Sequence, residues 1–233
     1  MLKRVTTCLL LAGAALLGPA AQADAQQTVN FSLGYFTPRG EDARAEGDVI
    51  NANRNFLAFD VSDFNSASIG GEWLVPLGNF VEAGAGLGFS RRTVASVYSD
   101  FTDIDGSEIE QDLRLRLVPV AFTVRVLPLG QANALQPYFG AGLGVMSWRY
   151  SESGEFIDFA RNREIFRDQY VAQGNATGPV VVAGLRFGGE TLSAGGEIRY
   201  HGAEADLDDR FAGSKIDLGG WTYNLTVGVR FGR

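Results

Sequence analysis

The tightest constraint in this chain is a period of two. Val81, Ala83, Ala85, Leu87 and Phe89 are separated by Glu82, Gly84, Gly86, Gly88 and Ser90, and the rhythm returns where Phe139, Ala141, Leu143 and Val145 alternate with Gly140, Gly142 and Gly144. Successive side chains of a strand point to opposite faces, so each segment is a strand with one greasy face and one tiny or polar face. Val29, Phe31, Leu33 and Tyr35 repeat the pattern, as do Ala67, Ile69, Gly71, Trp73 and Val75, the last set ending at a Pro76-Leu77-Gly78-Asn79 turn. Val181 to Phe187, Ala194 to Tyr200 and Tyr223 to Phe231 add three more. The remaining strand keeps Leu113, Leu115 and Leu117 opposite Asp112, Arg114 and Arg116, then changes parity at Pro119, so that Val120, Phe122, Val124 and Val126 carry the apolar face. A proline cannot donate to a strand ladder, so the sequence predicts a bulge there, which turns Arg125 inward.

Eight strands result, with both termini on one side. Their connections alternate: Pro76 to Asn79, Pro128 to Gln136 and Gly188 to Thr191 are short, whereas roughly 38 to 61, 94 to 111, 151 to 176 and 202 to 216 are long and polar. Apolar-out, polar-in strands with short turns at one end are the pattern of a closed antiparallel up-and-down transmembrane β-barrel. Aromatic residues mark two candidate girdles: Phe31, Trp73, Phe80, Phe139, Phe187 and Phe231 near the short turns, and Tyr35, Phe89, Tyr150, Tyr200 and Tyr223 near the other rim. No stretch is apolar for the roughly 20 residues a spanning helix needs, and only helices and closed barrels satisfy every backbone group in lipid.

Residues 1–25 read as a secretory signal peptide. Lys3 and Arg4 give a basic start, Leu9 to Leu17 an apolar stretch, and cleavage fits after Ala23 or after Ala25. Its removal takes the formal charge from −7 to −8 and removes Cys8, the only cysteine, so the exported domain, residues 26–233, relies on packing and backbone pairing. The acidic balance, without basic clusters interleaved with aromatics, excludes nucleic acid as a partner.

These residues resemble the small outer-membrane β-barrel family that includes OmpA-like, OmpX-like and OmpW-like proteins. The resemblance spans Val29 to Phe231. It is carried by Gln136-Pro137-Tyr138-Phe139-Gly140-Ala141-Gly142-Leu143-Gly144 and by the last strand, where Tyr223, Leu225, Val227, Val229 and Phe231 are similar to the terminal signal read by the barrel-assembly machinery. Here Gly232 and Arg233 follow that signal. The family implies location and fold rather than a shared activity: bacterial outer membrane, lipid and lipopolysaccharide around the wall, the assembly machinery during biogenesis, and a monomer.

The inward positions hold Glu82, Arg114, Arg116, Arg125, Arg186, Glu197, Arg199 and Arg230, and charges between low-dielectric walls must pair. An eight-stranded interior is just wide enough for side chains, which favours a structural plug over a gate or an anion site. Catalytic signals are weak. His201 is the only histidine, and Ser193, eight residues away on the same strand face, lies about 26 Å from it. The Gly-x-Gly-x-Gly runs lack nucleotide-loop spacing and a following helix. Asp103-Ile104-Asp105-Gly106 resembles part of a calcium loop, but Phe101 occupies the first ligand position, so a solvated acidic loop is the simpler reading. Phe156, Phe159, Phe166 and Tyr170 fit a short rim helix or a strand extension equally. The sequence therefore predicts no enzyme, no cofactor and no metal. It points to a structural or surface-interaction barrel, with a narrow channel for small or apolar solutes as the alternative and a lipid-modifying enzyme as a third reading.

Overall fold

The computed structural model describes residues 26–159 and 161–232. The signal-peptide reading and its cleavage sites lie outside the described residues. Eight long strands close into one antiparallel barrel: β1 (Gln27–Pro38), β2 (Ser66–Pro76), β3 (Val81–Thr102), β4 (Glu108–Val126), β5 (Leu135–Asp158), β6 (Glu164–Gly188), β7 (Leu192–His201) and, after the short hairpin of β8 (Glu204–Asp206) and β9 (Lys215–Asp217), β10 (Gly220–Phe231). Each strand pairs with its sequence neighbour in the ring, and β10 closes against β1.

Closure is staggered. Following pairing partners around the ring from Thr28 through Leu74, Gly84, Thr123, Gly142, Val180, His201 and Gly220 returns to β1 at Pro38, ten residues farther on. That offset tilts the strands by roughly 40° to the axis. At this tilt the 12-residue β10 rises roughly 28 Å, enough to cross an apolar band of about 25 Å. By contrast β5 and β6, at 24 and 25 residues, run far beyond it.

The barrel thus has two storeys of opposite sense. In the lower one the outer face is apolar, with Leu143 and Leu225 each 71% exposed, and the inner face carries glycine, serine and charge. In the upper one the inner face holds Val94, Leu113, Leu115, Leu117, Trp148 and Tyr150, all buried, while arginine, serine and glutamine face out. Strand β4 shows the switch plainly. Odd residues from Ile109 to Arg125 point inward along its whole length, and its register with β3 and β5 is the same on both sides of Pro119.

The bulge predicted at Pro119 is therefore absent. Pairing with β3 is interrupted at Gly88 and Phe89, and resumes without a shift. Hydrophobicity changes faces because the surroundings change at that height, not because the strand slips. Three further expectations are corrected by the same geometry. Arg114 and Arg116 lie on the outer face of the upper storey, Tyr150 is fully buried inside it rather than in a girdle, and segments 94–111 and 151–176 are mostly strand instead of loop. The 155–170 stretch is a strand extension: Phe156 pairs with Phe166 and Asp158 with Glu164 across the tip. The acidic 103–107 segment is a tight hairpin turn, closed by its own backbone and by Asp105 accepting from Ser107.

Only two connections remain substantial loops, and both fold over the upper mouth. The first carries a one-turn helix α1 (Val49–Asn53), capped by the Asp48 carboxylate accepting from the Asn51 N–H at 3.1 Å. Its Val49 and Ile50, with Leu57 and Phe64, are buried against the inner face of the upper strands. Phe211, Ile216 and Leu218 of the second loop complete that core.

Candidate functional site

The lower lumen is filled by one charge network drawn from six strands, with Arg230 of a seventh, β10, at its rim. Arg125 of β4 is at its centre, 0% exposed. Its guanidinium contacts Glu72 of β2, lies 3.1 Å from Glu197 of β7 and 3.8 Å from Glu82 of β3, and sits 4.8 Å over the ring of Tyr138 from β5. Arg199 bridges Glu72 at 3.0 Å and Glu197 at 2.8 Å. Arg186 of β6 pairs with Glu82 at 2.9 Å and donates to the Gln136 side-chain oxygen at 2.9 Å, an acceptor shared with Arg230. The Tyr138 hydroxyl donates to Glu197 at 3.0 Å. Three carboxylates face three arginines, Arg125 and Arg186 buried and Arg199 partly so, so the central charges balance within the protein.

The glycines of β5 and β6 make room for it. A Cβ on Gly140 would lie 2.9 Å from Arg125 atoms, and one on Gly184 would lie 2.5 Å from the Tyr138 ring. Gly140 and Gly184 are thus part of the counter-shape of two large side chains in a narrow tube.

Of the eight lumen residues expected from the sequence, Glu82, Arg125, Arg186, Glu197 and Arg199 meet in this cluster, and Arg230 joins through Gln136 at the lower rim. Arg114 and Arg116 do not. Glu72, Tyr138 and Gln136 were missed as members, although Glu72 occupies an inward parity position that the alternation of β2 already marks.

Above the network a small cavity of about 60 Å³ lies between Glu72, Arg199, His201, Pro119 and Met146. His201 ends β7 on the inner face, is buried and lines this cavity. The apolar core of the upper storey then closes the mouth.

Polar latches hold that lid, and the sequence did not reveal them. Arg44 binds Asp48 at 2.5 Å and donates to the Asp217 carbonyl at 2.7 Å, while the Asp217 N–H donates to Asp48 at 2.7 Å. Arg39 pairs with the Asp217 carboxylate at 2.9 Å and donates to the Tyr200 hydroxyl. These bonds tie the first loop to the last. Asn53, at the end of α1, donates to Glu152 at 2.6 Å and to the Tyr150 hydroxyl at 3.1 Å, tying the lid to β5. Burial pushes the Glu152 carboxyl above its usual range, and its bonds from Asn53 and Tyr150 only partly offset this.

A tilted eight-stranded ring of this kind has its counterpart among solved structures. The outer membrane protein OprG from Pseudomonas aeruginosa superposes at a TM-score of 0.51, with 12% identity over 90% of this chain and 97% of that one. The chain has the small outer-membrane β-barrel fold. The attachment invasion locus protein Ail of Yersinia pestis, in complex with the heparin analogue sucrose octasulfate, matches this barrel at a TM-score of 0.47, with 11% identity over 90% of this chain and 100% of that one. Neisserial surface protein A matches at 0.46, with 8% identity over 88% and 97%. No protein-family model matches the barrel's sequence, and no curated protein matches it either.

Proposed function

We propose that this protein is a monomeric outer-membrane barrel that braces the membrane and displays a rigid, capped surface, with no solute path through its lumen and no catalytic role. The observation that carries this reading is double closure: Arg125, wholly buried, plugs the lower lumen, and the α1 lid with its apolar core plugs the upper. A conducting pore needs a continuous wet path, and the buried Arg125 cluster below and the apolar core above both argue against one. The exposed belt from Phe31 to Leu225 supports a lipid environment, since such a continuous apolar surface is costly in water. In this reading Tyr223, Leu225, Val227, Val229 and Phe231, all on the outer face of β10, serve as the strand read by the assembly machinery.

One reconstitution experiment tests it. The refolded protein should show heat-modifiable mobility, partition with vesicles, and give no unitary conductance in a planar bilayer. Steady single-channel openings would remove the structural reading in favour of the channel, and failure to enter vesicles would remove the membrane assignment.

A further inference from the structure

The outer wall just above the apolar belt carries a charge pattern that neither the fold nor the lumen explains. Arg91 of β3 pairs across the sheet with Arg116 of β4, and Arg116 pairs with Arg149 of β5. All three are exposed and occupy outward positions. Like charges directly opposite on neighbouring strands destabilise each other, so two such pairs in a row are a cost to the bare sheet. Among the described residues none of the three has an ion pair or side-chain hydrogen bond. Arg114, on the same face one step higher on β4, donates only to the Thr93 hydroxyl at 3.0 Å. The carboxylates of that wall, Asp112 and Glu110, lie farther up β4 and pair across with Ala95 and Val97. On a chain whose net charge is −7, the arginines stand out as an anion site lacking an anionic protein partner.

Their height selects the anion. The row climbs as it crosses strands, because the ring closes with a ten-residue offset from Thr28 to Pro38. Measured from the level of Tyr35 and Phe89, where the exposed apolar surface ends, Arg91 stands roughly 6 Å up, Arg116 roughly 9 Å and Arg149 roughly 12 Å. The headgroup layer of a bilayer is about 5–7 Å deep on each side. Arg91 therefore sits where headgroup phosphates lie, whereas Arg116 and Arg149 stand above them. Beneath the stair are Phe89, Val118, Leu87 and Val120, a surface for acyl chains. Planar guanidinium groups bind phosphate through paired hydrogen bonds, which suits arginine over lysine here.

We propose that Arg91, Arg116 and Arg149 form a docking stair for the phosphorylated saccharide headgroup of an outer-leaflet glycolipid, of the lipopolysaccharide class, bound against the wall of β3, β4 and β5. An ordinary phospholipid engages only the lowest step. The stair lies on one side of the barrel: the uppermost outward aromatic residues of β7, β10 and β1 are Tyr200, Trp221 and Tyr35, near the level from which its height is measured. This rests on the outer-membrane reading above.

The test compares wild type, the triple variant R91Q/R116Q/R149Q, and a charge-matched control R161Q/R167Q/R210Q, whose side chains are exposed elsewhere. Each is refolded into phosphatidylcholine vesicles, insertion is checked by heat-modifiable mobility, and binding of a bisphosphorylated core glycolipid is titrated. At least tenfold weaker binding by the triple variant is expected, with the control unchanged and R116Q intermediate. The dephosphorylated glycolipid should bind all forms equally weakly. Undiminished binding by an inserted triple variant overturns the stair, and displacement of the glycolipid by equimolar phosphatidylglycerol assigns the site to simple phospholipid and overturns the glycolipid assignment. Failure of the wild type itself to insert overturns the membrane reading on which the proposal stands.

Discussion

Asn53 and Glu152 show how one contact couples the lid to acidity. Glu152 is buried in the upper storey with its carboxyl held above the usual range by desolvation. A carboxyl whose folded pKa is raised binds its proton more tightly in the folded state. Its contribution is fully present below the unfolded pKa and is lost as pH rises through the folded value. The lid is therefore expected to be best protected in mild acid and to loosen toward neutrality. Amide hydrogen exchange over residues 49 to 57, followed across that range, reads the effect directly. The substitution Glu152→Gln keeps an acceptor for Asn53 and carries no charge, so it should flatten the pH dependence and raise protection at neutral pH. A protection profile with unchanged pH dependence would mean that Glu152 does not govern the lid. Arg125 sits at the centre of the lower network. Its inward position was readable from the alternation Phe122, Val124, Val126, yet the identity of its partners was not, because Glu72, Glu82 and Glu197 come from three other strands.

Strand β4 carries both storeys within 19 residues, and its two faces exchange roles at Pro119. Placing arginine on the outer face of the lower storey, as in Val124→Arg, should cost about 2–4 kcal/mol, since Val124 lies on the apolar belt. The same change in the upper storey, at exposed, outward Gln169 on β6, far above the belt, should stay within about 0.5 kcal/mol, because that position faces water. Urea unfolding in lipid vesicles, followed by tryptophan fluorescence, separates the two, and equal costs at both positions would contradict the boundary drawn at this height. A change of apolar parity along a strand has two physical causes, a slipped residue or a changed solvent on each face. Local sequence does not distinguish them, whereas the pairings Leu87 to Val120 and Ser90 to Leu117, in one register, do.

For the whole molecule the charge network acts as a staple across the lumen. It links β2, β3, β4, β5, β6 and β7 through side chains, in addition to the backbone ladder at the wall. Removing Arg125 leaves three buried carboxylates short of a cation. The single substitution Arg125→Met is expected to destabilise the barrel by about 3–5 kcal/mol, measured as a lowered urea midpoint in vesicles. Combining it with Glu72→Gln should recover part of that loss, and a midpoint unmoved by Arg125→Met would show that the network is not structural. Lid and staple are separate closures, so loosening the lid by pH leaves the lower lumen filled.

What the sequence determined by itself was the wall: eight strands, their inward and outward faces in the lower storey, the short turns at one end and the closed antiparallel order. Those features rest on period-two alternation and turn chemistry, which are local. Tertiary structure alone decided the upper storey, where outer and inner surfaces trade polarity. Whether Leu113 or Arg114 faces the core depends on what fills the tube at that height, and the filling is α1 and the last loop, distant in sequence. It likewise decided the pairing of Arg44, Asp48 and Asp217 and the alignment of Arg91, Arg116 and Arg149, because both follow from the register of a tilted, staggered ring rather than from any one strand.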